Sequence, residues 1–339
     1  MSHPIPALAN APVTILLSTF NGALHLEEQL ASLCAQTLTG WVLYWRDDGS
    51  DDATTAIMTA FTARLGPERV ICSPSSGMHM GAAVSFLTLL TEATNSNLIA
   101  FADQDDVWLP GKLAAAQAML AQAGDRPALY CARQYLVNER LEGDKLSVLH
   151  RTAAHFPACL TQNIANGNTL VLNQAAAALV AQAGRPAGTV HDWWSYIVVS
   201  ACGGKILFDE RPQVLYRLHK ANLIGRLQPL HERALAALRR GPQAYMTMMH
   251  RHADMLGERP ANLSPQARRD LRRIRAGLHG GLISRASALA CPRFRRRLFI
   301  ETLLFRVWFM LATTHRAHAQ GQHHALPPLA ALAAKPPAK

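Results

Sequence analysis

Short apolar runs alternate with helical patterns along the first part of the chain. The apolar runs cover residues 13–18, 41–45, 69–72 and 98–102. Helical periodicity covers residues 25–36 and 82–93, a segment ending near 65 and a segment beginning after 110. Continuous apolar runs are typical of strands buried on both faces of a parallel sheet. A strand followed by a helix, repeated four times, predicts an α/β fold: a mostly parallel, doubly wound, Rossmann-like sheet flanked by helices.

Polar clusters follow three of these strands, at the point where each strand ends. The clusters are STFNG at 18–22, RDDGSDD at 46–52 and DQDD at 103–106. Ligands of open α/β sheets bind beyond the carboxyl ends of the strands. We therefore expect the three clusters to converge on one ligand.

The cluster at 103–106 places three acids in four positions. Carboxylates this close repel one another unless a cation or a metal-bound phosphate lies beside them. Mg²⁺ and Mn²⁺ take oxygen ligands, usually one or two carboxylates together with substrate phosphates. The cluster therefore predicts a Mg²⁺ or Mn²⁺ site, and the alternative is an acidic surface turn that caps the next helix.

The second half of the chain is less regular. Strand composition occurs at 128–131, 169–172, 205–208 and 213–216. The polar loop NIANGN at 163–168 precedes the second of these strands, and HDWW at 191–194 begins an apolar helix. From about residue 226 the pattern is helical and interrupted by prolines.

Charge is distributed unevenly over the 339 residues, of which 49% are hydrophobic. Residues 226–339 hold 20 of the 34 Lys and Arg but only 5 of the 23 Asp and Glu. This asymmetry predicts a catalytic domain followed by a segment that meets an anionic surface. The domain boundaries that we predict are a loose lead-in at 1–11, the catalytic domain at 12–225, a basic helical region at 226–319 and a disordered tail at 320–339.

The cysteines and the length of the apolar runs indicate the cellular compartment of the protein. None of the six cysteines forms a C-x-x-C pair, so we expect buried thiols in a reducing compartment. No signal-peptide pattern opens the chain, and no apolar run reaches the ~18 residues that a membrane-spanning helix needs. We expect a cytoplasmic protein that is peripheral on the inner face of the cell membrane.

Five motifs, taken in order, resemble the family-two inverting glycosyltransferases of the GT-A fold, and most closely their bacterial rhamnosyltransferase-like branch. They are STFNG at 18–22, RDDGSDD at 46–52, ADQDDVWLPGKL at 102–113, HDWW at 191–194 and YRLH at 216–219. The resemblance covers residues 12–225. It implies metal-dependent transfer of a sugar, with rhamnose as the first candidate, from a dTDP- or UDP-sugar donor. The implied acceptor is a saccharide or a lipid-linked saccharide in cell-surface polysaccharide synthesis.

The resemblance also implies roles for residues on the donor side. Asp48 would accept a hydrogen bond from N3–H of uracil or thymine, and Asp105 would bind the metal ion. The remaining nucleotide-binding residues that it implies are Ser18, Asn21, Asp103 and Arg217, the last of these toward the diphosphate. Asp103 and His219 are implied as further metal ligands.

On the acceptor side, the resemblance implies that Asp192 is the catalytic base. Inversion by single displacement requires one carboxylate that takes the proton of the acceptor hydroxyl. The alternative role of Asp192 is capping of the helix that begins there. The acceptor-binding residues that the resemblance implies are Gly167, Asn168, His191, Trp193 and Trp194.

The basic segment 293–311 places an arginine cluster before an apolar, aromatic helix. This pattern predicts an interfacial amphipathic helix on an anionic membrane surface. The alternative is a helix that packs on the catalytic domain and turns its arginines toward water.

Other classes of function were weighed against glycosyl transfer. A non-catalytic GT-A-like protein, or one that uses its basic tail on nucleic acid or membrane, is the main alternative. The tail carries no recognised nucleic-acid motif, so we expect no nucleic-acid partner. A nucleotidyltransferase would carry a Gly-rich phosphate loop near the N-terminus, and STFNG is not one.

Overall fold

The computed structural model describes residues 12–150, 155–219 and 242–311. The predicted lead-in and tail, and residues 226–241 and 312–319 of the basic region, lie outside the described residues. The strands are β1 Val13–Thr19, β2 Trp41–Asp47, β3 Val70–Cys72, β4 Leu98–Ala102, β5 Val107–Trp108, β6 Ala128–Val137, β7 Lys145–Leu146, β8 Val171–Asn173 and β9 Lys205–Arg217. The helices are α1 Ala23–Cys34, α2 Thr54–Leu65, α3 Ala82–Glu92, α4 Lys112–Ala121, α5 Gln174–Gln182, α6 His191–Ala201, α7 Gln243–Glu258, α8 Pro265–His279, α9 Leu282–Leu289 and α10 Phe299–Leu311.

The first half of the sheet is parallel, as the apolar runs predicted. Its strands lie in the order β3-β2-β1-β4, and each neighbouring pair is parallel. β1 is flanked on both sides, and its residues from Val13 to Leu17 are all buried. Thr19 at the end of β1 pairs with Asp47 at the end of β2. The loops that follow these two strands therefore begin side by side.

The second half of the sheet is mixed, which the sequence patterns did not predict. The order continues as β8, β6, β9 and β5, with β7 beside β6. β8 runs antiparallel to β4 and to β6, and β5 runs antiparallel to β9, whereas β6 and β9 are parallel. The fold is therefore an α/β sheet with an all-parallel half joined to a mixed half.

β9 is a single long strand where the sequence predicted two, at 205–208 and 213–216. It runs beside β6 with a register irregularity at which Pro212 pairs with Arg133. Because proline has no amide hydrogen, it interrupts the ladder of hydrogen bonds without ending the strand. The far end of β9 pairs with β5, directly after the acidic cluster at 103–106.

The basic helical region shares a hydrophobic core with the sheet domain. Met246, Ile274 and Phe305 of this region belong to the same buried cluster as Trp194 of α6. Polar contacts join the two parts at Thr161, whose carbonyl accepts hydrogen bonds from the Tyr245 hydroxyl at 2.9 Å and from the Arg296 guanidinium at 2.6 Å. The described part of this region is therefore packed on the catalytic domain, one of the two arrangements left open by the sequence.

Helix α10 is apolar on two faces. One face buries Phe305 and Phe309, each 1% exposed, against Phe294. The other face leaves large apolar side chains in solvent, with Phe299 85% exposed and Leu311 70% exposed. None of the helices in the described ranges is both long and apolar enough to cross a membrane.

Candidate active site

The loops that follow β1, β2 and β4 are tied together by hydrogen bonds, as their positions predicted. The Gln104 side chain accepts from the Phe20 amide at 2.8 Å and donates to the Phe20 carbonyl at 2.9 Å. The Asn21 side chain accepts from the amide of Asp51 at 2.9 Å. Gly22 has no room for a side chain, because a Cβ atom there would collide with Gln104. The three polar clusters therefore form one surface at the sheet edge.

Asn21 and Ser18 contribute to this surface in different ways. Asn21 has a φ of 46°, in the left-handed region that asparagine tolerates better than most residues. It joins the β1 loop to the β2 loop from that position. Ser18 is half-buried on β1 and pairs in register with Arg46 of β2. Direct contact of either residue with a nucleotide stays a prediction.

Asp48 fastens the loop that precedes α3 to the end of β2. Its carboxylate accepts from the amides of Met80 at 2.7 Å and Gly81 at 2.8 Å, and from the Arg46 guanidinium at 2.7 Å. Burial by itself raises the pKa of Asp48, but these donors outweigh it and hold the pKa below its usual value. Both carboxylate oxygens thus have protein donors. The predicted contact with a base stays a prediction.

Two aromatic rings missed by the sequence reasoning lie beside Asp48. Phe20 is 44% exposed, although it is a large apolar side chain. Its ring lies 5.0 Å from the ring of His79, whose Nδ1 is 3.0 Å from the Asp48 carbonyl. Exposed aromatic surface next to a nucleotide loop is a platform on which a base can stack. The available signal was an aromatic residue inside a turn.

The acidic loop, residues 103–106 after β4, carries three carboxylates. Asp103 and Asp105 are partly exposed in the cleft at this sheet edge, whereas Asp106 is buried behind them. Asp105 Oδ2 lies 2.7 Å from Nε2 of His219, so these two predicted metal ligands do meet. Burial, and then the negative charges of Asp105 and Asp192, raise the pKa of Asp103 to about 7. Asp106 is fully buried and faces the protein interior. The alternative of a freely exposed surface turn therefore does not fit Asp106, because this residue anchors the loop from behind.

A buried cation compensates this anchoring carboxylate. The Lys112 side chain is fully buried, lies over the Trp108 ring and donates to the Asn168 carbonyl at 2.6 Å. Burial lowers the pKa of Lys112, and the negative charges of Asp106 and Asp103 oppose that shift. Trp108 is 1% exposed and lies in the core, so its ring is not available for stacking on a sugar.

Arg217 and Asn168 are both buried, and their contact with a ligand stays a prediction. Arg217 is 1% exposed; its Nε donates to the Asp105 carbonyl at 2.9 Å, and its guanidinium pairs with Glu28. Asn168 is 2% exposed and donates from Nδ2 to Asp106 at 2.6 Å. Both residues hold the acidic loop in place, because Arg217 donates to the Asp105 carbonyl and Asn168 donates to Asp106.

His191 and Trp194 are corrections on the acceptor side. His191 is 8% exposed, and its ring packs on Phe86 at 4.2 Å between centroids. Burial lowers the pKa of His191 to about 3, so the imidazole is neutral. Trp194 is fully buried, and its Nε1 donates to the Gly184 carbonyl at 2.9 Å. His191 and Trp194 therefore belong to the buried side of α6. Asp192 and Trp193 are the α6 residues that remain partly exposed.

Asp192 and Trp193 lie on the partly exposed side of α6. Asp192 is half-buried in the first turn, and its Oδ2 accepts from the Gly167 amide at 3.1 Å. Desolvation raises the pKa of Asp192 to about 6 even though the amides of Trp193 and Gly167 and the side chain of Asn163 lower it. Val190 occupies the N-cap position, so Asp192 is not the capping residue.

Gly167 and Trp193 complete this wall of the cleft. A Cβ atom on Gly167 would lie 2.7 Å from Nε2 of His191, so only glycine allows its backbone to approach Asp192. Trp193 is half-buried, and its Nε1 donates to the Cys159 carbonyl at 2.8 Å. Gly167 therefore positions the candidate base, and acceptor binding by either residue stays a prediction.

His25 was also missed by the sequence reasoning. Its ring on α1 lies 5.6 Å from the ring of His219. Burial, followed by the positive charges of Arg217 and His219, lowers its pKa. A single histidine at the start of a helix carries no signal of this kind, because the partner ring comes from 194 residues further along.

A sheet whose parallel half ends in an acidic loop, with a second carboxylate facing that loop, defines the GT-A class of α/β transferases. Similarity to known proteins gives the family. The model of Glycosyl transferase family 2 matches residues 14–181. The chain belongs to this family, in its rhamnosyltransferase-like branch, and is a glycosyltransferase.

Two curated relatives and one solved structure illustrate this similarity. The dTDP-rhamnosyl transferase RfbG of Shigella flexneri is 26% identical over 222 residues, which cover 62% of this chain and 73% of that protein. The uncharacterized glycosyltransferase alr2836 of Nostoc sp. is 30% identical over 101 residues, 30% of each chain. TarS 1–349 of S. aureus, in complex with UDP-GlcNAc, matches with a TM-score of 0.52 at 14% identity, covering 79% of this chain and 72% of that one. At that identity the structural match shows the fold alone.

The buried lysine beneath the acidic loop gives a test of what holds the site together. We expect Lys112→Met to lower the free energy of unfolding by about 1–3 kcal/mol, because it leaves the buried Asn168 carbonyl without its hydrogen-bond donor. Lys145→Met on the exposed strand β7 is the matched control, with an expected change within about 0.5 kcal/mol. Urea unfolding of the purified variants measures both values, and equal effects would contradict the role given to Lys112.

Proposed function

We propose that the protein is an inverting, metal-dependent glycosyltransferase with Asp192 as its catalytic base. The observation that carries this proposal is that adjacent residues hold Asp192 and the acidic loop: the Gly167 amide donates to Asp192 and the Asn168 side chain donates to Asp106. In keeping with this closeness, the negative charge of Asp192 contributes to the raised pKa of Asp103. Perturbed carboxylates cluster at functional sites, and a base with a pKa near the working pH is best suited to its task.

The proposed donor is a nucleoside-diphosphate sugar. The surface formed by the β1, β2 and β4 loops would receive the nucleotide, with Phe20 as a stacking platform for the base. The family relative from Shigella flexneri is named a dTDP-rhamnosyl transferase, which favours dTDP-rhamnose as donor, with UDP-sugars as the next candidates. The acceptor that we propose is a saccharide or lipid-linked saccharide of a cell-surface polysaccharide.

Asp105, Asp103 and His219 would hold a Mg²⁺ or Mn²⁺ ion. The chemistry of these residues fits such an ion, because two carboxylates lie close together and one of them has a pKa raised by the charge of its neighbours. The bound ion would neutralise charge on the departing nucleoside diphosphate. Arg217 and Lys112 would keep the acidic loop in place from behind.

In the proposed step, Asp192 takes the proton of the acceptor hydroxyl while that oxygen attacks the anomeric carbon. The bond from that carbon to the nucleoside diphosphate breaks on the opposite face, which inverts the configuration. The proton ends on Asp192, and the electron pair leaves with the diphosphate. The half-buried Trp193 lies next to the base, where it would line the acceptor side.

We also propose that the exposed face of α10 rests on an anionic membrane surface. Phe299, Leu303 and Val307 lie one turn apart on this face and are 85%, 50% and 45% exposed. Exposed arginines at 293, 295 and 297 precede the helix. Apolar side chains beside arginines suit the boundary between headgroups and acyl chains. This placement would bring the active site to a lipid-linked acceptor.

Replacement of the base separates chemistry from binding. We expect Asp192→Asn to lower kcat by about 10²- to 10⁴-fold, because the acceptor hydroxyl loses its proton acceptor. Donor affinity, measured by calorimetry, should change little. Asp144→Asn, at an exposed position, is the matched control and should retain full activity. An Asp192→Asn enzyme with wild-type kcat would exclude this residue as the base.

The same assignment predicts a pH profile. Asp192 acts only when ionised, and its pKa is raised to about 6, so kcat measured at saturating donor and Mn²⁺ should be complete above that value and be lost as the pH falls through it. The acidic limb should be absent from the residual activity of Asp192→Asn. A limb near the ordinary Asp value, below pH 4.5, would contradict the assignment.

Calorimetry with dTDP and UDP, with and without Mn²⁺, tests the donor site. We expect metal-dependent binding that is lost in Asp105→Ala and that strengthens from about pH 6 to pH 8, because metal ligands must be deprotonated and the pKa of Asp103 is about 7. Asp144→Asn again serves as control. Binding of equal affinity with and without metal would contradict the metal assignment.

Vesicle sedimentation tests the membrane surface. We expect binding to phosphatidylglycerol vesicles but not to phosphatidylcholine vesicles, and a loss of about tenfold or more in the Phe299→Glu, Leu303→Glu double variant. Leu146→Glu replaces an exposed apolar residue elsewhere on the surface and should bind like the wild type. Equal binding by the double variant would show that α10 is not the contact.

A further inference from the structure

A cluster of two histidines and one aspartate lies between helices α7 and α8, which take no part in the candidate active site. We call it the His–Asp cluster: His250, Asp254 and His279. One potential ligand atom of each residue lies within 4.8 Å of the others. The sequence analysis did not single out any of the three.

The helices bring these side chains together in a simple way. His250 and Asp254 are four residues apart on α7, so they lie on the same face of that helix. His279 is the last residue of α8 and places its Nε2 2.8 Å from Oδ1 of Asp254. The rings of His250 and His279 are 5.1 Å apart at 72° to each other.

These positions fit a coordination sphere closely. Two ligand atoms that are each about 2.1 Å from one ion lie roughly 3 to 3.4 Å apart when their bonds meet near 90° to 110°. The separation of 2.8 Å between His279 and Asp254 is near that range. The third ligand atom, of His250, lies within 4.8 Å of the other two.

The environment of Asp254 also suits a ligand. Arg275 donates from Nε to Oδ1 at 3.0 Å and so orients the carboxylate from outside, as hydrogen-bonding partners of metal ligands do. Among the residues that the structure describes, Oδ2 of Asp254 accepts no hydrogen bond, which leaves it available.

We infer that the His–Asp cluster binds a divalent transition-metal ion of the Zn²⁺ type and thereby clamps α7 to α8. Two imidazoles with one carboxylate suit Zn²⁺, Co²⁺ or Ni²⁺, whereas Mg²⁺ prefers oxygen ligands in octahedral geometry. The ion bound here therefore differs in kind from the one proposed at the acidic loop. Water or a further ligand completes the coordination on the exposed side of His279.

The test is calorimetric titration of the chelator-treated full chain with ZnCl₂. Asp105→Ala serves as the parent protein, and Mg²⁺ is present throughout, so that the acidic loop contributes no zinc binding. We expect one Zn²⁺ per chain, and a loss of affinity of about tenfold or more after His250→Ala, His279→Ala or Asp254→Asn. His155→Ala, which removes an exposed histidine elsewhere, is the matched control and should bind like the parent.

Thermal unfolding of the same proteins distinguishes a lost site from a lost fold. Zn²⁺ should raise the Tm of the parent and of His155→Ala, because a ligand of the native state stabilises it. The three cluster variants should unfold cooperatively without zinc and show no such rise. No zinc binding by the parent, or equal affinities in parent and cluster variants, would overturn the proposal without bearing on glycosyl transfer.

Discussion

The burial of negative charge at the carboxyl edge of the sheet is the constraint on which the rest of the structure depends. Asp103 and Asp106 lose much of their contact with water, and isolated buried carboxylates are costly. Partners from distant parts of the chain offset that cost. Lys112 on α4 lies near both carboxylates, and the Arg217 amide at the end of β9 and the Asn168 side chain donate to Asp106. The end of β9 therefore helps to hold the acidic loop in place.

Because the acidic loop must be held from behind, some polar residues near the site bind the loop and not a ligand. Arg217 and Asn168 have the chemistry of phosphate and sugar ligands, but both are buried and donate hydrogen bonds to the acidic loop. His191 likewise packs on Phe86 beneath α6. The side chains that face the cleft are Phe20, Asp103, Asp105, Asp192 and Trp193.

The basic helices α7 to α10 have three structural roles. They complete the hydrophobic core around Trp194, present an apolar face on α10 and hold the His–Asp cluster between α7 and α8. The acidic loop offers oxygen ligands in a half-buried cleft, whereas the His–Asp cluster offers imidazoles near the surface. The two candidate metal sites would therefore select different ions. Catalysis and stabilisation can then depend on separate metals.

The sequence by itself determined the parallel half of the sheet, the convergence of three strand-end loops and the identity of the carboxylates. Those features follow from local periodicity and from the rule that parallel strands present their carboxyl ends at one edge. Only the tertiary structure decided which polar residues face the cleft. It also joined the two halves of β9 across Pro212 and placed the basic helices on the catalytic core. Burial and pKa depend on neighbours that are far apart in sequence, such as Asp105 with His219 and Asp106 with Lys112, and no local pattern records them.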